Sequence, residues 1–209
     1  MRNSSFSSLI LLGMPGAGKT SCASELATIL DLPFADTDDL IESACLKNIS
    51  SIFTDSGEET FRLLEKTTIE IFLTELNPEK TNQCQAELDS EILMRLKEEV
   101  HSFAKRSLLK DGFILAVGGG LPCDLERFEL LKRLGKLVFL DCQAHILAMR
   151  LKGDTKRPLL NGSGSSIKEL LSSRREIYQK ADLTVDTSNL SINDVAKTVR
   201  LRLERAEKV

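Results

Sequence analysis

No two of the five cysteines, Cys22, Cys45, Cys84, Cys123 and Cys142, form a C-x-x-C pair, and their odd number leaves one over from any set of bridges. A disulfide framework or a zinc site needs paired or closely spaced thiols, so neither is indicated and all five read as buried or incidental. Histidine is scarce as well, and His101 and His145 build no constellation. Long apolar runs are missing too. Leu9–Leu12, behind a stretch with a single arginine, is too short for a signal sequence or a membrane span. Nor is there a surplus of positive charge: 28 Lys and Arg stand against 31 Asp and Glu, a net charge of -3. Nothing in that balance draws the chain to nucleic acid or an anionic membrane, so any anion it binds must be met by local groups. A cytoplasmic, monomeric protein with neither kind of partner is expected.

What is present suits one well-sized core. The chain has 209 residues, 42% of them hydrophobic and 28% charged, which leaves two full domains cramped and wholesale disorder unsupported. Strand-like apolar runs recur at 8–13, 32–36, 113–119, 136–142 and 182–187, and segments of helical periodicity separate them. Alternating strands and helices predict an α/β fold with a parallel sheet covered on both faces. A helix from near Glu58 is expected to bury Phe61, Leu64, Thr68, Phe72 and Leu76, with a capping box at Ser56–Glu59. A second amphipathic helix should follow through Leu88, Ile92, Leu96, Val100 and Phe103. "NGSGSS", residues 161–166, has the composition of a mobile loop.

The strongest motif is "GMPGAGKT", Gly13 to Thr20, which fits G-x-x-x-x-G-K-[ST] between a predicted strand and a predicted helix. Its amides and the following helix N-terminus cradle phosphates, its lysine reaches the β and γ oxygens, and its threonine ligates Mg²⁺. Four specified positions would match by chance in a chain of this length on the order of 1% of the time. A P-loop alone does not separate kinase from ATPase or switch protein.

Directly behind the second predicted strand stands "FADTDDLIES", with Asp36, Asp38 and Asp39. A calcium loop counted from Asp36 would need Gly and Glu where Ile41 and Lys47 stand, which excludes it. A helix cap, a metal and a substrate remain open for each aspartate, with Asp39, three residues before Glu42, best suited to the cap. In an open parallel sheet this turn and the P-loop would emerge at the same crevice. Asp36 and Asp38, pointing to opposite sides of an extended turn, need not share one task.

Taken in order, the P-loop, "DTDDLIE", "SIF" followed by "GEETFRLLE", "AVGGG", "KGDTKRPLL" and "RREIYQKAD" resemble the shikimate kinase family over nearly the whole chain. The resemblance implies a nucleoside-monophosphate-kinase-like P-loop fold, a five-stranded parallel sheet with flanking helices, as one kinase domain over 1–209 with a lid at 152–166. It implies transfer of the ATP γ-phosphoryl group to the 3-hydroxyl of shikimate, with Lys19, Asp38 and Arg157 in the catalytic roles. Gly16, Ala17, Gly18, Lys19, Thr20 and Ser21 would hold the nucleotide, with Arg157 on the phosphates and Arg150 and Asn189 near the adenine. Thr20 would ligate Mg²⁺ directly and Asp36 through water. Asp38 would meet the shikimate hydroxyls, Arg62 and Arg174 its carboxylate, and Gly118, Gly119 and Gly120 its ring. Glu65, three residues after Arg62, is placed to orient that guanidinium.

The segment 77–111 is longer than the family pattern and is read as an added helical hairpin covering core. The rival functions are another small-molecule P-loop kinase, acting on gluconate or a nucleoside monophosphate, and a P-loop switch protein. A switch protein would have no use for two arginines facing one carboxylate.

Overall fold

Each of the five apolar runs contributes one strand: β1 (Leu9–Leu12), β2 (Phe34–Asp36), β3 (Ile114–Ala116), β4 (Lys136–Asp141) and β5 (Leu183–Asp186). The computed structural model describes residues 8–79, 88–107, 112–152 and 164–206. The strands are all parallel in the order β2-β3-β1-β4-β5, with Leu9 of β1 in register with Ile114 of β3 and Lys136 of β4. Every residue of β1 and β3 is buried, which is why these strands read as continuous apolar runs rather than alternating ones. Because β1 has β3 on one side and β4 on the other, the loop leaving its carboxyl end opens at the point where the winding reverses.

Eight helices flank the sheet in the described residues: α1 (Lys19–Leu30), α2 (Thr37–Cys45), α3 (Ile49–Leu76), α4 (Ser90–Ser107), α5 (Leu125–Leu134), α6 (Ala144–Leu151), α7 (Gly164–Tyr178) and α8 (Ile192–Ala206). α1 packs on α8, and α3 packs on both α4 and α5. The predicted stripe of α3 is buried at Phe61, Leu64, Thr68 and Phe72. α3 is two helices joined at Gly57, whose φ of 80° and ψ of 171° break the spiral and let the rings of Phe53 and Phe61 meet at 4.7 Å. The expected capping box does not form, because the break falls at Gly57 and leaves Ser56 inside the first half of α3; the Ser56 carbonyl oxygen accepts from Thr60 Oγ1 at 2.8 Å.

α4 is the second amphipathic helix, entered through Asp89, whose Oδ1 accepts from the amides of Glu91 at 2.9 Å and Ile92 at 3.2 Å. It buries Leu96, Val100 and Phe103. Phe103 meets Phe72 of α3 edge-on at 5.8 Å, and Phe72 stacks on Phe113 before β3 at 5.5 Å, so α4 is tied into the main core. Residues 80–87 and 108–111 of the 77–111 segment, and the greater part of the expected lid, lie outside the described residues. Among the described residues no helix is long and apolar enough to cross a membrane.

Candidate active site

The P-loop wraps from β1 to α1. Gly18, at φ 90°, takes the left-handed conformation at the N-cap of α1, and no side chain caps that end, so first-turn amides face the loop's hollow. Lys19 is buried and folds across the hollow, its Nζ donating to the carbonyls of Gly13 at 3.0 Å and Met14 at 3.2 Å. Thr20 Oγ1 donates to Asp36 Oδ2 at 2.5 Å, joining the first turn of α1 to the end of β2.

The three aspartates separate. Asp36, not Asp39, is the N-cap of α2: its Oδ1 accepts from the amide of Asp38 at 2.9 Å. The reason is that β2 is only three residues long and the helix starts at Thr37, leaving Asp38 and Asp39 inside its first turn. Burial raises the Asp36 carboxyl above the usual range, the Asp38 charge adds to this, and bonds from Thr20 and the Asp38 amide oppose it. Asp38 looks elsewhere, toward the glycine turn after β3. A Cβ added to Gly118 would stand 2.9 Å from Asp38 Oδ1 and 2.2 Å from Glu65 Oε1, so two carboxylates converge on one bare Cα. The Gly118 amide donates to Thr37 Oγ1 at 3.0 Å, fastening the turn to α2.

The other two glycines are required by close approach. A Cβ on Gly119 would meet Pro15 Cδ at 2.8 Å, and one on Gly120 would meet Arg62 Nη1 at 2.3 Å. Arg62 is held from its own helix, with Nη1 2.6 Å from Glu65 Oε2 and Nη2 2.9 Å from Glu58 Oε1. Glu65 is wholly buried, and burial pushes its carboxyl up to about 7, with Arg62 opposing and Asp38 adding. Burial raises the Cys123 thiol, and the charges of Arg174, half-buried on α7, and of Arg62 both oppose that rise, so the two arginines share one neighbourhood. Its neighbour Arg175 is exposed and pairs with Asp141 at the end of β4.

Beside the P-loop lies a cleft of about 490 Å³ lined by Gly16, Gly18, Lys19, Thr20, Ser21, Asp36, Asp38, Val117, Arg150, Leu190, Ser191 and Ile192. Arg150 spans it, donating to Gly16 O at 3.2 Å and Thr187 O at 3.4 Å. Asn189 is exposed in the same loop after β5, and Ala17 is buried under the P-loop. Arg157 lies outside the described residues. Val117, Leu190 and Ile192 were not anticipated; their only signal was an apolar residue next to a motif, which sequence alone cannot tell from core. Thr20 and Asp36 offer hard oxygen donors at the phosphate end of this cleft, as Mg²⁺ prefers. Among the described residues no group of three or more His, Cys, Asp or Glu is gathered as a metal site.

A parallel sheet in this order, a P-loop at its switch point, and an acidic and basic pocket facing that loop define a P-loop small-molecule kinase. The family model described as shikimate kinase matches residues 15–77 and 91–204, and the chain belongs to that family. A shikimate kinase of Persephonella marina is 31% identical over 196 residues, covering 92% of this chain and 98% of the relative. Among solved structures, shikimate kinase from Acinetobacter baumannii in complex with shikimate aligns with a TM-score of 0.74 at 26% identity, covering 98% of this chain and 96% of that one. A gluconokinase from Sinorhizobium meliloti aligns at a TM-score of 0.51 with 15% identity over 96% of this chain and 93% of its own, a likeness of fold alone. The family match skips residues 78–90 and takes in nearly all of α4.

Proposed function

We propose that the protein transfers the γ-phosphoryl group of ATP to the 3-hydroxyl of shikimate, giving shikimate 3-phosphate and ADP. The observation that carries this reading is the convergence of Asp38 and Arg62 on the Gly118–Gly120 turn, directly beside the P-loop. The P-loop amides and Lys19 bind the phosphates, Lys19 exchanging its two loop carbonyls for phosphate oxygens. Thr20, directly, and Asp36, through water, would hold Mg²⁺, which would supply positive charge to offset that of the phosphates. Arg62, preset by Glu65 and Glu58, grips the acceptor's carboxylate together with Arg174. Asp38 orients the hydroxyl, and in a loose transition state such positioning supplies much of the rate. Arg157 meets the transferring phosphoryl group, and Arg150 with the loop holding Asn189 covers the adenine.

The P-loop, Asp38, Arg62 and Arg174 lie in one chain, so the proposed site needs no second copy, and a monomer is proposed. Free thiols at Cys22, Cys45, Cys123 and Cys142 and the use of ATP support the cytoplasm. We place one kinase domain over the chain, with its added length centred on 78–90, where the family match is interrupted.

A coupled assay of ADP release with shikimate, gluconate and nucleoside monophosphates tests the reading. Shikimate should accelerate release and the others should not. Gluconate is the pointed competitor, being itself a carboxylate. Folded, ATP-binding protein that shikimate leaves unaccelerated would overturn the proposal.

A further inference from the structure

Tyr178 is the chain's single tyrosine, fully buried at the C-terminal end of α7, and no step above uses it. Its ring packs on Phe139 of β4 with centroids 5.0 Å apart, so core packing accounts for the ring. Core packing does not account for the hydroxyl. That oxygen donates to the carbonyl of Gly119 and lies 4.0 Å from the Met14 sulfur in the P-loop. Arg174, one helical turn earlier, stands in its neighbourhood. The Cys123 thiol stands beside it and is itself 3.6 Å from Gly119 O. Four pieces thus meet at one buried atom: the P-loop, the glycine turn, the turn that follows it, and the arginine of α7.

A planar peptide fixes both of its ends. Holding Gly119 O also fixes the Gly120 amide, which points the other way in the same plane. Gly120 is the residue against which Arg62 lies, so the orientation of that peptide bears on the surface one arginine rests on. The other arginine, Arg174, stands near the same hydroxyl, and its long side chain is costly to hold in one rotamer without a neighbour.

We propose that Tyr178 is a positioning residue for the acceptor site: its hydroxyl sets the Gly119 peptide and steadies Arg174, so that turn and arginines present one fixed surface to a carboxylate. This rests on the reading above in which Arg62 and Arg174 hold the acceptor's carboxylate. A purely space-filling tyrosine would make Phe an equal substitute, because Phe keeps the ring on Phe139 and removes one oxygen.

Tyr178→Phe should raise the KM for shikimate by about tenfold, the loss expected when a bond to a charged group is removed, while the KM for ATP stays within about twofold. Its Tm should stay within about 3 °C of wild type, since the packing is kept. Phe139→Leu loosens the same ring without touching the hydroxyl, and it should lower Tm while leaving the KM for shikimate within about twofold. Wild-type turnover of shikimate, measured first, tests the acceptor reading by itself. With that turnover established, an unchanged shikimate KM in Tyr178→Phe overturns the positioning role. So does a rise in both variants that follows their loss of Tm, and so does a Tyr178→Phe protein that fails to fold, since the hydroxyl would then be needed for structure.

Discussion

Thr20 Oγ1 and Asp36 Oδ2 stand 2.5 Å apart, and the other oxygen of the same carboxylate accepts the Asp38 amide at 2.9 Å. One side chain therefore caps α2 and also braces the P-loop threonine. Its charge is costly where it sits, since burial and the neighbouring Asp38 both raise its carboxyl. On the proposed reading a cation at the phosphate end of the cleft would relieve that cost, a task that an aspartate can perform and an asparagine cannot.

Asp36→Asn separates the two tasks. The amide oxygen can still accept from Asp38, so stability should change by about 1 kcal/mol or less. The negative charge toward the cation is lost, so the Mg²⁺ concentration for half-maximal activity should rise about tenfold or more. Titrating Mg²⁺ at saturating ATP and acceptor measures it. An unaltered Mg²⁺ requirement would remove Asp36 from the metal's surroundings.

Asp38 and Asp39 are adjacent in the first turn of α2, and Asp38 reaches the glycine turn at Gly118. Asp38→Asn should lower kcat by about 10²-fold or more if it orients the hydroxyl. Asp39→Asn should leave kcat close to wild type and change stability by about 1 kcal/mol or less, the dipole contribution of one acidic residue. Equal losses of kcat in the two variants would end this division of labour.

The strands, the P-loop and the Arg62–Glu65 pair were legible in the sequence because each depends on local spacing: apolar runs, glycine offsets, an i,i+3 step on a helix. The cap was misplaced because choosing among Asp36, Asp38 and Asp39 needs the residue at which β2 stops, and strand ends are set by pairing with β3. The capping box at Ser56 failed for a related reason, since the break between the two halves of α3 falls at Gly57 and leaves Ser56 inside the first half. The glycine triplet could be read as a loop but not as a cradle: Pro15, Asp38 and the Arg62–Glu65 turn of α3 reach it from three distant parts of the chain. Tyr178 could not be singled out at all, because a buried aromatic shows its hydroxyl's partners only in three dimensions.

Gly120→Ala tests the cradle. The new methyl would stand 2.3 Å from Arg62 Nη1, and it is the flexible end of that side chain that must move. Displacing it breaks its bonds to Glu65 and Glu58 while the backbone φ of -89° suits alanine, so the fold should survive. The KM for shikimate should rise by about tenfold or more with the KM for ATP nearly unchanged. A KM for shikimate that stays at the wild-type value would mean that Arg62 does not bind the acceptor from this position.

Glu65 makes stability depend on pH in a direction that can be worked out. Burial raises its carboxyl from 4.5 to about 7 in the folded chain, against the pull of Arg62. Between those values the native state holds a proton that the unfolded state has released, so unfolding becomes easier as pH rises. The contribution is complete below about pH 4.5 and is lost as pH climbs through about 7. Glu65→Gln cannot titrate there and has no such slope. Denaturant unfolding of the two proteins at steps from pH 4.5 to 8 should show wild type losing up to about 3 kcal/mol relative to Glu65→Gln across the window. A difference that stays flat, or that grows in favour of wild type as pH rises, would mean that Arg62 keeps the carboxylate ionised in the native state, with the ion pair outweighing the cost of burial.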